Sequence, residues 1–270
     1  MPLESLFVPD GDRFVPTEHA RGPWQPEHVH GGPVAALLAY RVEQVVADPE
    51  LQFARHTVDL FRRVPVEALD VAVEVVRAGR RIQVVAGTVS ASGLTLGRST
   101  SLLVRRTPTV SHVSHDAPAV VPPAPDALAA EAPRAGQQPG YYPTVEFRFV
   151  TSRAASEPHI AWTRIPVPLL PDVPLTPAVR AAGTADFANY FGNLARDDGT
   201  AFINADITLH LHRDPVGEWI CMAVASRHSV DGVSIVDAAL LDGAGPFGRS
   251  TVSSLANGPR RAGDRARGDG

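Results

Sequence analysis

The chain has 270 residues, a formal net charge of −4, 44% hydrophobic residues and only 6% aromatic ones. That length allows one large domain or two small ones, each with its own core. The acidic balance, together with 25 basic residues that are all arginine and scatter along the chain, argues against nucleic acid as a partner.

A single cysteine, Cys221, excludes an internal disulfide framework and any multi-cysteine metal site. It lies in the apolar run 219–224 and reads as a buried structural thiol. No basic region followed by an apolar core opens the chain, and no apolar run is long enough to span a membrane, so the expectation is a cytoplasmic protein.

In chain order, residues 1–26 are turn-rich, with one strand expected near 13–18. The stretch Glu27-His28-Val29-His30-Gly31-Gly32-Pro33-Val34 then opens a helix over 33–46. Pro33 suits a first helical position, and Gly31 and Gly32 leave the adjacent backbone N–H groups bare. Such a turn suits an anion or a carbonyl oxygen under attack; the competing reading is an ordinary glycine-rich cap on a core helix. Four strands are expected next, at 56–64, 69–77, 81–90 and 94–105, with Ala78-Gly79 and Ser92-Gly93 as turns.

Residues 108–143 are rich in Pro and Ala and read as a linker, with a short helical turn at 126–131. The order of elements then repeats. Strands at 144–150 and 160–166 precede a helix at 177–194, capped by Thr176 before Pro177, and strands follow at 202–213, 219–226, 233–241 and 247–255. Arg63-Val64-Pro65-Val66 matches Arg213-Asp214-Pro215-Val216 at an offset of 150, and Gly97-Arg98-Ser99-Thr100 matches Gly248-Arg249-Ser250-Thr251 at 151. A helix with one meander cannot cover both faces of its sheet, so two copies should join their sheets. The expected fold is α+β, a double hotdog: an N-terminal repeat over 1–107, the linker over 108–143, a C-terminal repeat over 144–257 and a disordered tail over 258–270.

These motifs carry a resemblance. His28-Val29-His30-Gly31-Gly32, then 56–63 and 75–81, resemble the first half of the acyl-CoA thioesterase II family; Phe202-Ile203-Asn204-Ala205-Asp206 with His212-Arg213 and Glu218-Trp219 resemble its second half. The resemblance implies hydrolysis of an acyl-CoA or other acyl thioester without cofactor, and pairing into a homodimer. It also implies that an aspartate, a hydroxyl residue and a glutamine position the attacking water. The aspartate falls on Asp206 and the hydroxyl on Ser226 or Ser229. Val252 stands where the glutamine is expected, which admits a non-hydrolytic acyl-thioester or lipid-binding protein as the alternative.

Read from the residues, period-two alternation puts Asn204, Asp206, Thr208, His210 and His212 on one strand face, lining a site or facing solvent. His210 and His212 with Asp206 also admit a metal reading, but no second ligand cluster supports it, and none is expected. Asp186 shares a helix face with Asn189. By the resemblance to single hotdog thioesterases, which carry an acidic residue on the central helix, it is a second catalytic candidate. His28 and His30 are expected to orient the glycine turn or contact the thioester. At the 150 offset His56 is the counterpart of Asp206, so one productive site is expected. No Gly-Asp-x-Asn-Pro-x-His stretch speaks for a hydratase, and no GxSxG elbow for a serine hydrolase.

Overall fold

The structure, a computed structural model, describes residues 5–23, 25–107, 122–132, 138–153, 158–194 and 201–257. Most of the expected linker's first half and the whole expected tail lie outside the described residues. The strands are β1 (Phe7–Asp10), β2 (Arg13–Pro16), β3 (Leu51–Leu60), β4 (Asp70–Ala78), β5 (Ile82–Ala91), β6 (Leu94–Arg105), β7 (Glu146–Phe149), β8 (Ile160–Arg164), β9 (Ala201–Asn204), β10 (Asp206–Leu211), β11 (Ile220–Val230), β12 (Val233–Asp242) and β13 (Gly245–Asn257). The helices are α1 (Gly31–Val46), α2 (Tyr141–Thr144), α3 (Pro177–Ala185) and α4 (Phe187–Asn193).

β1 and β2 form a separate hairpin, while the rest make one 11-stranded sheet in the order β4-β5-β6-β3-β10-β13-β12-β11-β8-β7, with β9 also on β13. The two repeats meet at the antiparallel β3–β10 pair, where Thr57 faces Thr208. Thr57 and Thr208 stand 151 positions apart and pair in turn with Thr100 and Thr251, which are also 151 apart. The pseudo-twofold relating the repeats therefore runs between these two threonines, and the expected double hotdog is the fold.

One face of the sheet is packed on the helices. α1 is apolar nearly all round, with residues Val34 to Ala39 and Val42 all buried, because it lies against α3 as well as β3, β4, β5 and β6. α4 lies against β9, β11, β12 and β13. Outside this core, Trp162, Cys221 and Leu241 form a second apolar cluster with Leu128 and Trp219 packed on it. The described part of the linker is tied there: Trp162 Nε1 donates to Pro123 O at 2.8 Å, and Arg148 Nη1 to the carbonyls of Pro125 and Leu128. Burial pushes the Cys221 thiol up to about 12, so it stays protonated and inert. The expected turn at 126–131 is a 3-10 turn, Pro125–Ala127.

Two expected elements are interrupted, each for a local reason. The helix expected over 177–194 breaks at Asp186, where the sheet inserts side chains into its backbone ladder. Ser250 Oγ donates to Ala185 O at 2.8 Å and Asn204 Nδ2 to Asp186 O at 3.1 Å. The strand expected over 202–213 breaks at Ala205. Asn204 pairs with Ser254, but Thr208 pairs with Thr251, a slip of one residue, which is a β-bulge.

Leu209 is 1% exposed at the seam between repeats. Leu209→Ala is expected to cost about 2–5 kcal/mol, and urea unfolding followed by circular dichroism and by tryptophan fluorescence should give one coincident transition. Two separate transitions would contradict a continuous sheet.

Candidate active site

The junction of the repeats holds a buried carboxylate at the start of α1. Asp186, 5% exposed, sits between α3 and α4 and reaches the first turn of α1 from the other repeat. Its Oδ2 lies 2.9 Å from Gly32 N and 2.6 Å from His30 Nδ1, and its Oδ1 accepts from Asn204 Nδ2. The glycines allow this approach: a Cβ on Gly31 would lie 2.9 Å from Asp186 Oδ1, and one on Gly32 would lie 2.6 Å from Gly183 O and 2.7 Å from Tyr141 Cε1. An alanine at Gly32 has no room.

Burial pushes the Asp186 pKa up. The charge and hydrogen bond of His30, with the bonds from Asn204 and Gly32, outweigh it and hold the carboxyl below its ordinary value. Asp186 is therefore ionised and accepts only. Gly32 N also lies 3.2 Å from His30 Nδ1, but Nδ1 cannot accept that proton while donating its own to the carboxylate. The shorter, charge-assisted contact makes Nδ1–H the donor, so imidazole and amide both point at Oδ2. Among the described residues, Gly31 N–H meets no acceptor.

Aromatic rings wall the imidazole. Tyr141 and Phe187 lie 5.0 and 5.5 Å from the His30 ring and stack on each other. Tyr141 is fully buried, and among the described residues its hydroxyl has no hydrogen-bond partner. Burial, with the Asp186 charge adding, raises its pKa far enough that it keeps its proton. Neither Tyr141 nor Phe187 was a candidate from sequence; the one available signal was the Tyr141-Tyr142 pair closing a linker in a chain poor in aromatics.

The other repeat offers a quasi-symmetric carboxylate. Glu43 of α1 receives Thr176 Oγ1, the N-cap of α3, at 2.9 Å from both carboxylate oxygens. Each helix thus lends an acid to the start of the other. Burial raises the Glu43 pKa to about 7, the Thr176 bond opposing and the Asp214 charge adding.

Family models match both repeats: the acyl-CoA thioesterase N-terminal domain over residues 20–113 and the C-terminal domain over residues 122–255. The chain belongs to the acyl-CoA thioesterase II family. No curated protein matches it. Among solved structures, a Novosphingobium aromaticivorans protein assigned as a thioesterase is 22% identical, covering 94% of this chain and 99% of its own, with a TM-score of 0.73. The tesB protein of Mycobacterium avium subs paratuberculosis is 16% identical, with 93% and 96% covered and a TM-score of 0.70. Acyl-CoA thioesterase II TesB2 of Mycobacterium marinum is 19% identical, with 85% and 91% covered and a TM-score of 0.65. At these identities the likeness carries the fold, and the two domain matches support thioester hydrolase activity in general.

Against that family pattern, the structure rearranges the candidates. Asp186, His30, Gly31, Gly32 and Asn204 come together. Gly32 is corrected as a bare oxyanion donor, since its N–H is spent on Asp186. The bulge at Ala205 also corrects the shared face of Asn204 and Asp206: Asn204 points to the helices, whereas Asp206 shares the opposite face with Thr208. There Asp206 Oδ1 accepts Ser253 N at 2.6 Å.

Val252, the expected glutamine position, is fully buried on the helix side, so Thr251 and Ser253, with Arg249 beside His210, lie on the face of Asp206. Ser226 Oγ donates to Asp237 Oδ2 at 3.2 Å on β11, and Ser229 is exposed near the β11–β12 turn; two strands separate both from β10. His210 is exposed, its pKa lowered by partial burial and by Arg55 and Arg249 beside it. His28 is not among the hydrogen-bond partners of Asp186, and among the described residues its buried Nδ1 has no partner. His56 is not the counterpart of Asp206: the 151 offset puts Arg55 there. His56 is buried on the helix face, bonded to Ser101 and Ala35 O, and burial lowers its pKa to about 4. Among the described residues no group of three His, Cys, Asp or Glu could hold a metal.

A raised carboxylate pKa means that the folded state holds the proton more tightly. The stabilisation from Glu43 is therefore full below the ordinary value of 4.5 and is lost as pH rises through about 7. Glu43→Gln should match wild type in acid and exceed it at alkaline pH by up to about 3 kcal/mol. Urea titrations at the two extremes read this difference, and an equal response at both would contradict the assignment.

Proposed function

We propose that the protein hydrolyses acyl-CoA thioesters at the junction of its repeats, a water being activated by the Asp186–His30 pair at the first turn of α1. One observation carries this reading: a buried carboxylate from the second repeat is seated on the glycine turn of the first, hydrogen-bonded to an imidazole. Attack on a thioester carbonyl needs a proton acceptor beside the water and a donor for the oxygen that becomes negative. The imidazole–carboxylate pair supplies the first, and Gly31 N–H at the positive end of α1 supplies the second. Tyr141 and Phe187 keep bulk water from the imidazole, which strengthens both interactions. The chemistry asks for water only, so acyl-CoA is the one partner the mechanism needs.

The alternative, binding of an acyl thioester without hydrolysis, draws on β13: it presents Thr251 and Ser253 to the face of Asp206, and no glutamine. Thiol release from a panel of acyl-CoAs separates the readings. Wild type should release thiol, Asp186→Ala should lose about 100-fold or more in kcat with its circular dichroism unchanged, and Asp206→Ala should stay within about threefold. Tight binding with no thiol release favours the binding protein. A loss confined to Asp206→Ala moves the reaction to the opposite face of the sheet.

A further inference from the structure

The hydrolytic reading leaves open which member of the pair takes the proton, and the hydrogen-bond inventory of Asp186 decides it. Its Oδ2 accepts two N–H groups and its Oδ1 accepts Asn204, all within a residue 5% exposed. A carboxylate so engaged has little surface left to hold a water, and protonating it would break the contacts that fix α1 against α3. The imidazole differs. With Nδ1–H committed to Asp186, Nε2 is the nitrogen that carries the lone pair when the ring is neutral. His30 keeps 14% of its side chain exposed, and among the described residues Nε2 meets no hydrogen-bond partner.

We propose that His30 is the catalytic base through Nε2, and that Asp186 is a positioning residue that fixes the ring's tautomer and stabilises the imidazolium as it forms. This rests on the hydrolytic reading above. Nε2 takes a proton from water as the water oxygen bonds to the thioester carbon, and the carbonyl oxygen becomes an oxyanion facing Gly31 N–H. The C–S bond then breaks as the carbonyl re-forms, and the leaving sulfur takes the proton from Nε2–H. The products are one carboxylic acid and one thiol, and His30 returns to its starting tautomer. The arrangement parallels the orienting role of a buried aspartate toward a histidine in serine hydrolases, with water in place of the serine. The glycine turn serves it directly: a side chain at Gly31 would displace the carboxylate that aims the ring.

Two readouts test the assignment. The first is kinetic: His30→Ala should lose at least about 100-fold in kcat with KM little changed, and free imidazole in the assay should restore part of it. Asp186→Asn should also lose kcat, through the wrong tautomer, and imidazole should not restore it. If His30→Gln keeps most of the wild-type rate while Asp186→Asn abolishes it, the carboxylate is the base and the proposal is overturned.

The second readout needs no turnover. In wild type labelled at the imidazole nitrogens, NMR at mildly alkaline pH should show His30 protonated at Nδ1 and bare at Nε2, and Asp186→Asn should shift this pattern. A proton on Nε2 overturns the proposal. If no acyl-CoA is hydrolysed but the Nδ1–H signature is present, the positioning by Asp186 stands and the hydrolytic reading has failed.

Discussion

The seating of the Asp186 carboxylate on the first turn of α1 constrains everything near it. Burying a charge of this size costs several kcal/mol unless it is paired, and hydrogen bonds to a charged group return about 1.5–3 kcal/mol each. Three donors converge on it, from His30, Gly32 and Asn204. Each has a structural precondition. Gly32 must lack a side chain for α1 to close on Gly183 and Tyr141, and Asn204 must turn inward, which requires the bulge at Ala205. The break between α3 and α4 belongs to the same set, since Ser250 and Asn204 occupy the carbonyls of Ala185 and Asp186.

The pseudo-twofold supplies each helix start with an acid from the opposite helix, but the two ends have diverged. At one, an aspartate meets glycines and an imidazole and is held ionised. At the other, a glutamate meets a threonine hydroxyl and burial raises its pKa to about 7. The Asp186 end keeps a negative charge and a ring to orient; the Glu43 end carries a protonatable group bonded to the Thr176 hydroxyl. A duplicated fold can then hold one chemical centre while retaining the helix contacts of both.

Much of the architecture was legible because it is written in coarse periodicities. The all-round apolar helix after Gly31-Gly32, the meander with Gly turns and the repeat at an offset near 150 all reflect what a doubled helix-on-sheet fold must bury. The candidate site was legible only in pieces. A slip of one residue at Ala205 reverses strand phase, and period-two reasoning cannot see it, so Asn204 and Asp206 were put on one face. The same single-residue uncertainty, 150 against 151, exchanged His56 for Arg55. The break at Asp186 comes from side chains of a distant strand, and Tyr141 reaches the ring of His30 from the far end of a linker; neither leaves a local signal.

The central claim is that an acyl-CoA binds at the Asp186–His30 junction. A crystal structure with an acyl-CoA analogue in which a methylene group replaces the thioester sulfur tests it most directly. The account predicts the analogue's carbonyl oxygen at Gly31 N–H and its carbonyl carbon beside His30 Nε2. A carbonyl bound beside Asp206 and Ser253, on the sheet face turned away from the helices, would contradict it.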